Sequence, residues 1–242
     1  MEAALEALDY SQHRKLTDYL GQFLTAERRQ RIEAVLTQRT RYLTVVLEDL
    51  HRPHNAGAVL RNCDSFGIQD VHIIENTTGF KTTPKVTRGC HQWLSLHRYS
   101  RQRGNTLTCL SRLRDAGYRL VATAPNASHS LHELSLDSPI ALLFGNELEG
   151  LSTEALAQAD LQVRLPMYGF SESFNVSVCT ALGLQPLCHR LRSSDIAWQL
   201  SDPEKALLRA QWYRLSHRSW PQLEAQFWAA VSSDTDKDID SP

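Results

Sequence analysis

Short apolar segments alternate with helical ones between residues 42 and 192, and this alternation limits the possible fold more than any other feature of the chain. Runs such as LTVVLE (43–48), DVHIIE (70–75) and PIALLFG (139–145) are separated by stretches whose apolar residues recur at helical spacing. Strands that are apolar at nearly every position are typical of a parallel sheet covered by helices on both faces. The sequence therefore predicts an α/β fold with a mostly parallel sheet, and 42% hydrophobic residues among 242 suffice to fill its core.

Helical extensions are predicted on both sides of this core. In residues 1–41, Leu16, Leu20 and Ile32 recur at helical spacing, and several arginines fall on other faces. In residues 193–242, the run from Ser201 to Glu204 combines an N-cap residue with a proline and acids in the first turn, which indicates a helix start. The terminal SSDTDKDIDSP (232–242) has no apolar periodicity, and we expect a frayed acidic tail.

Basic residues are concentrated in particular stretches of a chain whose formal net charge is only −1. The segment from Lys81 to Arg119 holds nine basic residues and one acid, and arginine outnumbers lysine 21 to 5. A guanidinium pairs with phosphate through two hydrogen bonds, so these stretches fit a polyanion such as nucleic acid. Ordinary solvated surface charge is the alternative interpretation.

Several classes of protein are disfavoured by the motifs that the chain lacks. It contains no G-x-G-x-x-G, Walker A, G-x-S-x-G or H-E-x-x-H pattern, which argues against nicotinamide-binding, P-loop and common hydrolase functions. Its five cysteines show no C-x-x-C spacing, so we expect buried thiols and neither a disulfide framework nor a zinc site. No apolar run approaches the ~20 residues of a membrane span, and the first residues do not resemble a signal peptide. A cytoplasmic protein is therefore expected.

Three polar loops follow predicted strands, at the sheet edge where ligands of parallel α/β proteins bind. They read HRPHNAGAVLRNCD (51–64), GNELEGLS (145–152) and MYGFSESFNVSV (167–178). Asn55 is either the N-cap of the following helix or a binding side chain, whereas Arg61, inside an apolar helix, requires an anionic partner. Glu147 can accept hydrogen bonds, and Gly145 permits a tight approach to a ligand. Ser173 and Asn175 precede a helix N-terminus that could hold an anion.

These three loops, with their flanking residues, carry a resemblance to a known family. HNAGAVLRNCDSFG, LLFGNELEGLS and LPMYGFSESFNVSV closely resemble the three motifs of the SpoU branch of the SPOUT methyltransferases. The arginine-rich AERRQRIEAVLTQRT before the first strand resembles the tRNA guanosine-2'-O-methyltransferases of that branch. Relatives that act on rRNA share the three motifs and usually carry a different N-terminal domain.

The resemblance implies a fold, a reaction and a set of partners. The fold is a SPOUT domain over residues 42–192 with a C-terminal deep trefoil knot, assembled as a homodimer. The reaction is 2'-O-methylation of a tRNA guanosine, the D-loop guanosine at position 18, with S-adenosyl-L-methionine as methyl donor and no metal. The alternatives are methylation of 23S rRNA, RNA binding by a SPOUT protein without catalysis, and metabolite binding by an α/β protein with basic surface stretches.

Most site residues follow from the same resemblance. The catalytic set is Asn55, Arg61, Glu147, Ser173 and Asn175. The cofactor-binding set is Thr123, Ala124, Gly145, Asn146, Gly150, Leu165, Pro166, Met167, Ser173, Phe174 and Asn175. The charge distribution supplies Arg28, Arg29, Arg31 and Arg88 of the RNA-binding set, and the resemblance adds Arg190, which lies next to His189, a position where relatives carry an arginine. A guanidinium stays charged at neutral pH, so Arg61 is expected to bind a phosphate and stabilise the forming alkoxide; a role as the base is the alternative.

Overall fold

The computed structural model describes residues 5–82, 84–100 and 103–237 and divides the chain into two compact units. One unit comprises residues 39–199, and the other comprises the residues up to 38 together with those from 200 onward. The sequence placed boundaries after residues 41 and 192 and treated the two extensions as separate. Their helices belong to a single helical unit, because apolar faces from both ends of the chain pack against each other.

The α/β unit is built on a seven-stranded sheet in which every pair of neighbouring strands is parallel. The strand order is β3-β2-β1-β6-β4-β7-β5. This arrangement confirms the predicted α/β class and its mostly parallel sheet. The strands are β1 (Leu43–Glu48), β2 (Asp70–Ile74), β3 (Ser95–Tyr99), β4 (Arg119–Thr123), β5 (His129–Ser130), β6 (Ile140–Phe144) and β7 (Leu161–Arg164).

Helices cover both faces of the sheet, as near-continuous apolar strands require. Within this unit they are α3 (Pro53–Phe66), α4 (Pro84–Thr87), α5 (Asn105–Asp115), α6 (Thr153–Gln158) and α7 (Val176–Arg192), with 3-10 turns at Cys90–Trp93 and Leu131–Glu133. On one face, Val59 of α3 and Leu187 of α7 pack on alternate residues of the central strands, including Val45. On the other face, Leu110 of α5 and Ala155 of α6 pack on the intervening residues.

The helical unit contains α1 (Tyr10–Gly21), α2 (Ala26–Leu36), α8 (Asp202–Ser216) and α9 (Trp220–Lys237). Leu16, Leu20 and Ile32 are buried, as their helical spacing predicts. Ser201 caps α8 in a capping box with Glu204, which confirms the predicted helix start. The segment expected to fray is helical through Lys237, because α9 continues past Ser232; residues 238–242 lie outside the described residues.

The cysteines, the long helices and the potential metal-ligand side chains can be described from the structure. All five cysteines are free; four are buried and Cys179 is half-buried. Among the helices in the described ranges, none combines the length and apolar character needed to cross a membrane. Within those ranges, no cluster of three or more His, Cys, Asp or Glu side chains could hold a metal ion.

Candidate active site

The three polar loops meet at the carboxyl edge of the sheet, where a chain of hydrogen bonds links one side chain from each. The Asn55 Nδ2 donates to Glu147 Oε1 at 2.7 Å, and the Asn175 Nδ2 donates to Asn55 Oδ1 at 3.1 Å. Asn55 lies after β1, Glu147 after β6 and Asn175 after β7, so residues 120 positions apart in sequence share one network. The predicted catalytic residues Asn55, Glu147 and Asn175 are thus brought together directly.

Asn55 is not the N-cap of its helix, which corrects one of the two interpretations offered by the sequence. The N-cap of α3 is Arg52, which makes no side-chain capping bond, and Pro53 follows it in the first turn. Asn55 therefore sits inside the helix, 5% exposed, with its amide turned to the neighbouring loops. A buried amide with both its oxygen and its nitrogen hydrogen-bonded is held in one orientation.

Glu147 is the acceptor that organises the loop before α3. Its carboxylate accepts hydrogen bonds from the backbone N–H groups of His51 at 3.1 Å and Arg52 at 3.3 Å, in addition to Asn55. Burial raises the pKa of Glu147, but these hydrogen bonds to the charged form outweigh burial and leave the pKa below its usual range. Glu147 is therefore ionised at neutral pH and positions the first loop through its charge.

The loop from Gly145 to Gly150 has a backbone that only glycine permits at its first position. A Cβ on Gly145 would lie 1.9 Å from the backbone carbon of Gly150, and the two ends of the loop are joined by paired backbone hydrogen bonds between Asn146 and Gly150. The Asn146 Oδ1 accepts from the N–H groups of Leu148 and Glu149. This closed loop presents Glu147 toward Asn55. Gly145, Asn146 and Gly150 thus shape the loop, and they do not line the cleft described below.

Two acids that the sequence analysis missed lie at the end of β1. Glu48 is 2% exposed and accepts hydrogen bonds from the Ser152 backbone N–H, the Ser152 hydroxyl and the Thr106 hydroxyl. Asp49, with φ of 51°, accepts three backbone N–H groups from residues 76–78. Acids that end an apolar strand facing the ligand edge were the signal that could have found them.

Asn175 combines capping with a contact in the site. It is the N-cap of α7, its Oδ1 accepts the Ser177 backbone N–H at 2.9 Å, and its Nδ2 reaches Asn55. The two roles use different atoms of one amide, so capping and site formation coexist. The hydrogen bond between Asn55 and Asn175 therefore joins the interior of α3 to the N-cap of α7.

A cleft beside this network gathers six of the predicted cofactor-binding residues. Its cavity volume is about 70 Å³. The sequence analysis missed three lining residues: Pro125, Val163 and Cys179. Cys179 is one helical turn beyond Asn175, so helical spacing was the signal that could have found it. Pro166 and Asn175 are not among the lining residues. The predicted residues in the cleft are Thr123, Ala124, Leu165, Met167, Ser173 and Phe174.

The chemistry of the cleft lining is mostly apolar, with hydroxyls at its edge. Val163, Leu165 and Met167 come from β7 and the residues after it, and the Thr123 hydroxyl is held by the Leu143 carbonyl at 2.8 Å. Burial raises the pKa of the Cys179 thiol to about 11, so this thiol is neutral at pH 7 and unreactive toward electrophiles. The cleft can therefore accept a flat apolar group next to a reactive centre.

Arg61 lies on a different face of α3 from Asn55. Asn62 lies on the same helix face as Asn55, and its amide donates to the Ser177 carbonyl at 2.7 Å. The side chain of Arg61 is rotated about 120° around the helix axis from that of Asn55. Arg61 shares a face with Gly57, where a Cβ would lie 2.4 Å from the Val86 side chain. The structure does not join Arg61 to Asn55, Glu147 or Asn175 by hydrogen bonds.

The guanidinium of Arg61 has no ion-pair partner among the described residues, and its buried Nε makes no hydrogen bond to them. The expected anionic partner is therefore not supplied by a described residue of the protein. A half-buried cation held this way fits an external anion, because burying an unpaired charge costs free energy.

The predicted RNA-binding arginines differ in how far their side chains are already engaged. Arg190 donates to the backbone carbonyls of His132 and Leu134, and Arg28 donates to the Ser216 hydroxyl at 3.2 Å. Arg29 and Arg31 are exposed. Arg88 is exposed and has φ of 49°. Within the basic stretch, Arg101 and Gln102 lie outside the described residues.

Comparison with known proteins identifies the class of this fold and site. A model of the SpoU rRNA Methylase family matches residues 42–185, more than half of the chain, and the chain belongs to this family. The match contains all three loops of the candidate site, which confirms the resemblance drawn from their sequences.

Particular relatives narrow the class further. The chain is 42% identical over 206 residues to the tRNA (guanosine(18)-2'-O)-methyltransferase of Borreliella burgdorferi, covering 85% of this chain and 93% of the relative. It is similar to the crystal structure of the A. aeolicus TrmH/SpoU tRNA modifying enzyme, with a TM-score of 0.67, 26% identity and coverage of 77% of this chain and 95% of that one. The AdoMet-bound rRNA methyltransferase of Sinorhizobium meliloti is similar with a TM-score of 0.55 and 25% identity, over 64% of this chain and 58% of that one.

Proposed function

We propose that this protein is a tRNA methyltransferase that transfers a methyl group from S-adenosyl-L-methionine to the ribose 2'-OH of the D-loop guanosine at position 18. The observation that carries the proposal is the hydrogen-bonded chain from Glu147 through Asn55 to Asn175, next to a cleft lined by the predicted cofactor residues. The tRNA (guanosine(18)-2'-O)-methyltransferase relatives support the substrate.

The cleft fits the cofactor. Ala124, Val163 and Leu165 provide apolar surface for the adenine, and the Ser173 hydroxyl provides a polar contact at the edge. The bound cofactor supplies a sulfonium methyl group to an oxygen nucleophile. The Cys179 thiol lines the same cleft, and its neutral form is a weak nucleophile because the thiolate is the reactive form.

The residues around the cleft have separate tasks in this reaction. Glu147 and Asn55 orient the ribose and hold the first loop, and Asn175 fixes the start of α7 beside them. Ser173 shapes the third loop at the cleft. Because in-line transfer requires oxygen, carbon and sulfur to be aligned, side chains fixed by mutual hydrogen bonds reduce the cost of reaching that geometry.

Arg61 stabilises negative charge on the RNA. Its guanidinium, unpaired within the described residues, binds the phosphate next to the target ribose and stabilises the alkoxide that forms as the hydroxyl loses its proton. A phosphate oxygen or solvent receives that proton, because a guanidinium remains protonated at neutral pH. The RNA thus completes a site that the protein leaves open.

A trefoil knot in the C-terminal part of residues 42–192, a homodimer and a cytoplasmic location complete the proposal. Family membership supports the knot, and the relatives that are named tRNA methyltransferases support the location. Tyr168 and Phe170 in the third loop are 98% and 109% exposed, and large apolar side chains of this kind fit burial against a second subunit. Light scattering after size-exclusion chromatography tests the dimer.

One experiment tests the reaction and its nearest alternative together. Unmodified tRNA and a 23S rRNA fragment are incubated with the enzyme and methyl-labelled cofactor, and nucleosides are analysed by mass spectrometry. We expect 2'-O-methylguanosine in tRNA and its loss when guanosine 18 is replaced by adenosine. Labelling of rRNA alone would establish the rRNA alternative. Absence of labelling in both RNAs, with cofactor binding absent by calorimetry, would establish the non-catalytic alternative.

A further inference from the structure

A groove in the helical unit is unused by the mechanism above. It lies among α1, α2 and α8, encloses about 240 Å³, and is lined by Tyr10, Arg14, Asp18, Glu33, Arg209 and Tyr213. This volume is below the ~300–1,000 Å³ typical of pockets for drug-sized ligands, so the groove suits one small planar group. We refer to it as the tyrosine groove.

One side of the tyrosine groove is fixed by an ion pair. The Arg209 Nε and a terminal nitrogen donate to the two Glu33 oxygens at 2.6 and 2.7 Å, so this pair is bidentate and its charges are matched. Burial, and then the Glu33 carboxylate, raise the pKa of Tyr213, so its hydroxyl is a proton donor at neutral pH. This side is rigid.

The other side presents three side chains that make no hydrogen bond or ion pair with the described residues. Tyr10 is 43% exposed and no aromatic ring contacts it, and the side chains of Arg14 and Asp18 are exposed without an ion pair. A second surface depression shares Glu33 and continues past Arg29. An aromatic ring, a cation and an anion are therefore all available within one narrow groove.

This combination selects a class of ligand. A bare phosphate would be repelled by Asp18, whereas an apolar peptide would leave Arg14 and Asp18 unpaired. A nucleotide satisfies all three groups, because its base stacks on Tyr10, the donors on the base edge reach a carboxylate, and its phosphate pairs with an arginine. We propose that the tyrosine groove binds one unstacked base of the tRNA, with the adjoining phosphate on Arg14 and the strand continuing past Arg29. This inference rests on the proposed function.

Paired substitutions test the stacking contact. Tyr10→Phe keeps the ring and Tyr10→Ala removes it, and both leave the Asp9 capping box of α1 intact. Loss of a base–aromatic contact should weaken tRNA binding of the full-length protein about fivefold to 100-fold in Tyr10→Ala, whereas Tyr10→Phe should bind like wild type. Equal binding by both variants would overturn the inference.

Two arginine substitutions that remove the same charge distinguish a specific contact with tRNA from long-range electrostatic attraction. Arg29→Gln and Arg31→Gln lie on the same helix and remove the same charge, but only Arg29 lines the continuing depression. We expect Arg29→Gln to weaken tRNA binding several-fold more than Arg31→Gln at the same salt concentration. Equal effects would show that the arginines act only through long-range charge and would contradict the proposed path.

Photo-crosslinking locates the base. With tRNA containing 4-thiouridine and 6-thioguanosine, peptides carrying Tyr10 or Tyr213 should be the crosslinked species within the helical unit; adducts confined to its other surfaces would exclude the groove. Methylation by the wild-type protein is measured in parallel. If the wild-type protein methylates tRNA but Tyr10→Ala binds tRNA like wild type, only the groove inference fails. If the wild-type protein methylates no RNA, the proposed function fails together with the groove inference.

Discussion

The polar side chains of the three loops and those on the open side of the tyrosine groove are organised in opposite ways. In the loops, Asn55, Glu147 and Asn175 bind one another, and Glu48 accepts three hydrogen bonds from the residues around it. In the helical unit, Arg14 and Asp18 line a groove without ion pairs. Side chains that satisfy one another are fixed before substrate arrives, whereas unpaired ones await a ligand.

Arg61 combines features of both regions. It belongs to the same helix as Asn55, yet its Nε has no hydrogen bond among the described residues, whereas the polar side chains of the three loops are hydrogen-bonded to one another. The comparison predicts that fixed loop residues affect the chemical step, that surface arginines affect tRNA affinity, and that Arg61 affects the chemical step through RNA. Substitutions can test each of these assignments.

Arg61→Lys is expected to have the largest effect. Lysine keeps the charge but loses the planar fork, so kcat for tRNA methylation should fall about 10²–10³-fold, the range for losing one stabilising donor in a transition state. The dissociation constant for S-adenosyl-L-methionine, measured by calorimetry, should change less than about twofold, because Arg61 does not line the cleft. Arg31→Lys is the control and should leave kcat unchanged. A parallel loss of cofactor affinity would remove the role assigned to Arg61.

Glu147→Gln should come next. An amide of the same shape leaves the backbone N–H groups of His51 and Arg52 without a charged acceptor, so the first loop loosens and kcat should fall about 10–100-fold. Glu149→Gln, two residues further along the same loop and exposed, is the matched control. Equal activity of the two variants would show that the carboxylate of Glu147 does not organise the site.

Much of the fold and of the candidate site could be predicted from the sequence, because both the apolar strands and the three motifs are read from short continuous segments. The parallel sheet followed from strands such as β6 that are apolar throughout, and the clustering of Asn55, Glu147 and Asn175 followed from their positions after strand ends. The network around Glu48 was missed, since its partners Thr106 and Ser152 are 58 and 104 residues away. Such contacts depend on which strands become neighbours.

Asn55 and the chain termini show a second limit of sequence reasoning. Asn55 in front of an apolar helix fits a cap equally well, and only the proline-started turn two residues earlier moves it inside the helix. Similarly, the pattern of α1 and α2 cannot reveal that their apolar faces pack against α8 from the other end of the chain. In both cases, contacts between residues far apart in the sequence determine the structure.

A buried histidine offers a test of pH-dependent stability away from the catalytic loops. His72 on β2 stacks on His97 at 4.6 Å, with Asp70, Tyr99 and Arg112 also facing it, and burial and then His97 lower the pKa of His72 to about 4. In the unfolded chain the pKa is near 6.5, so between pH 6.5 and 4 the unfolded state binds the extra proton. Stability should therefore fall by up to about 3 kcal/mol as pH falls through this window.

Urea unfolding of the wild type and of His72→Asn at several pH values checks this expectation. His72→Asn should lose much of the pH dependence between pH 6.5 and 4, while His189→Asn, an exposed control on α7, should retain it. Near pH 7 and at a temperature where both variants are folded, kcat should match that of wild type, because His72 is on the sheet face under α5 and not in the cleft. An unchanged pH profile in His72→Asn would mean that another group carries the titration.

The smallest effect is expected for the surface arginines of α2. Replacing Arg28 and Arg29 together with glutamine removes two cations, so tRNA affinity should fall only several-fold at moderate salt, while the slope of log K against log salt should become shallower by about one to two. Fluorescence anisotropy at four or more salt concentrations measures both quantities, and kcat at saturating tRNA should stay within about twofold of wild type. A steeper loss of kcat than of affinity would place these arginines with the fixed catalytic loops, and an unchanged salt slope would remove them from the RNA-binding surface.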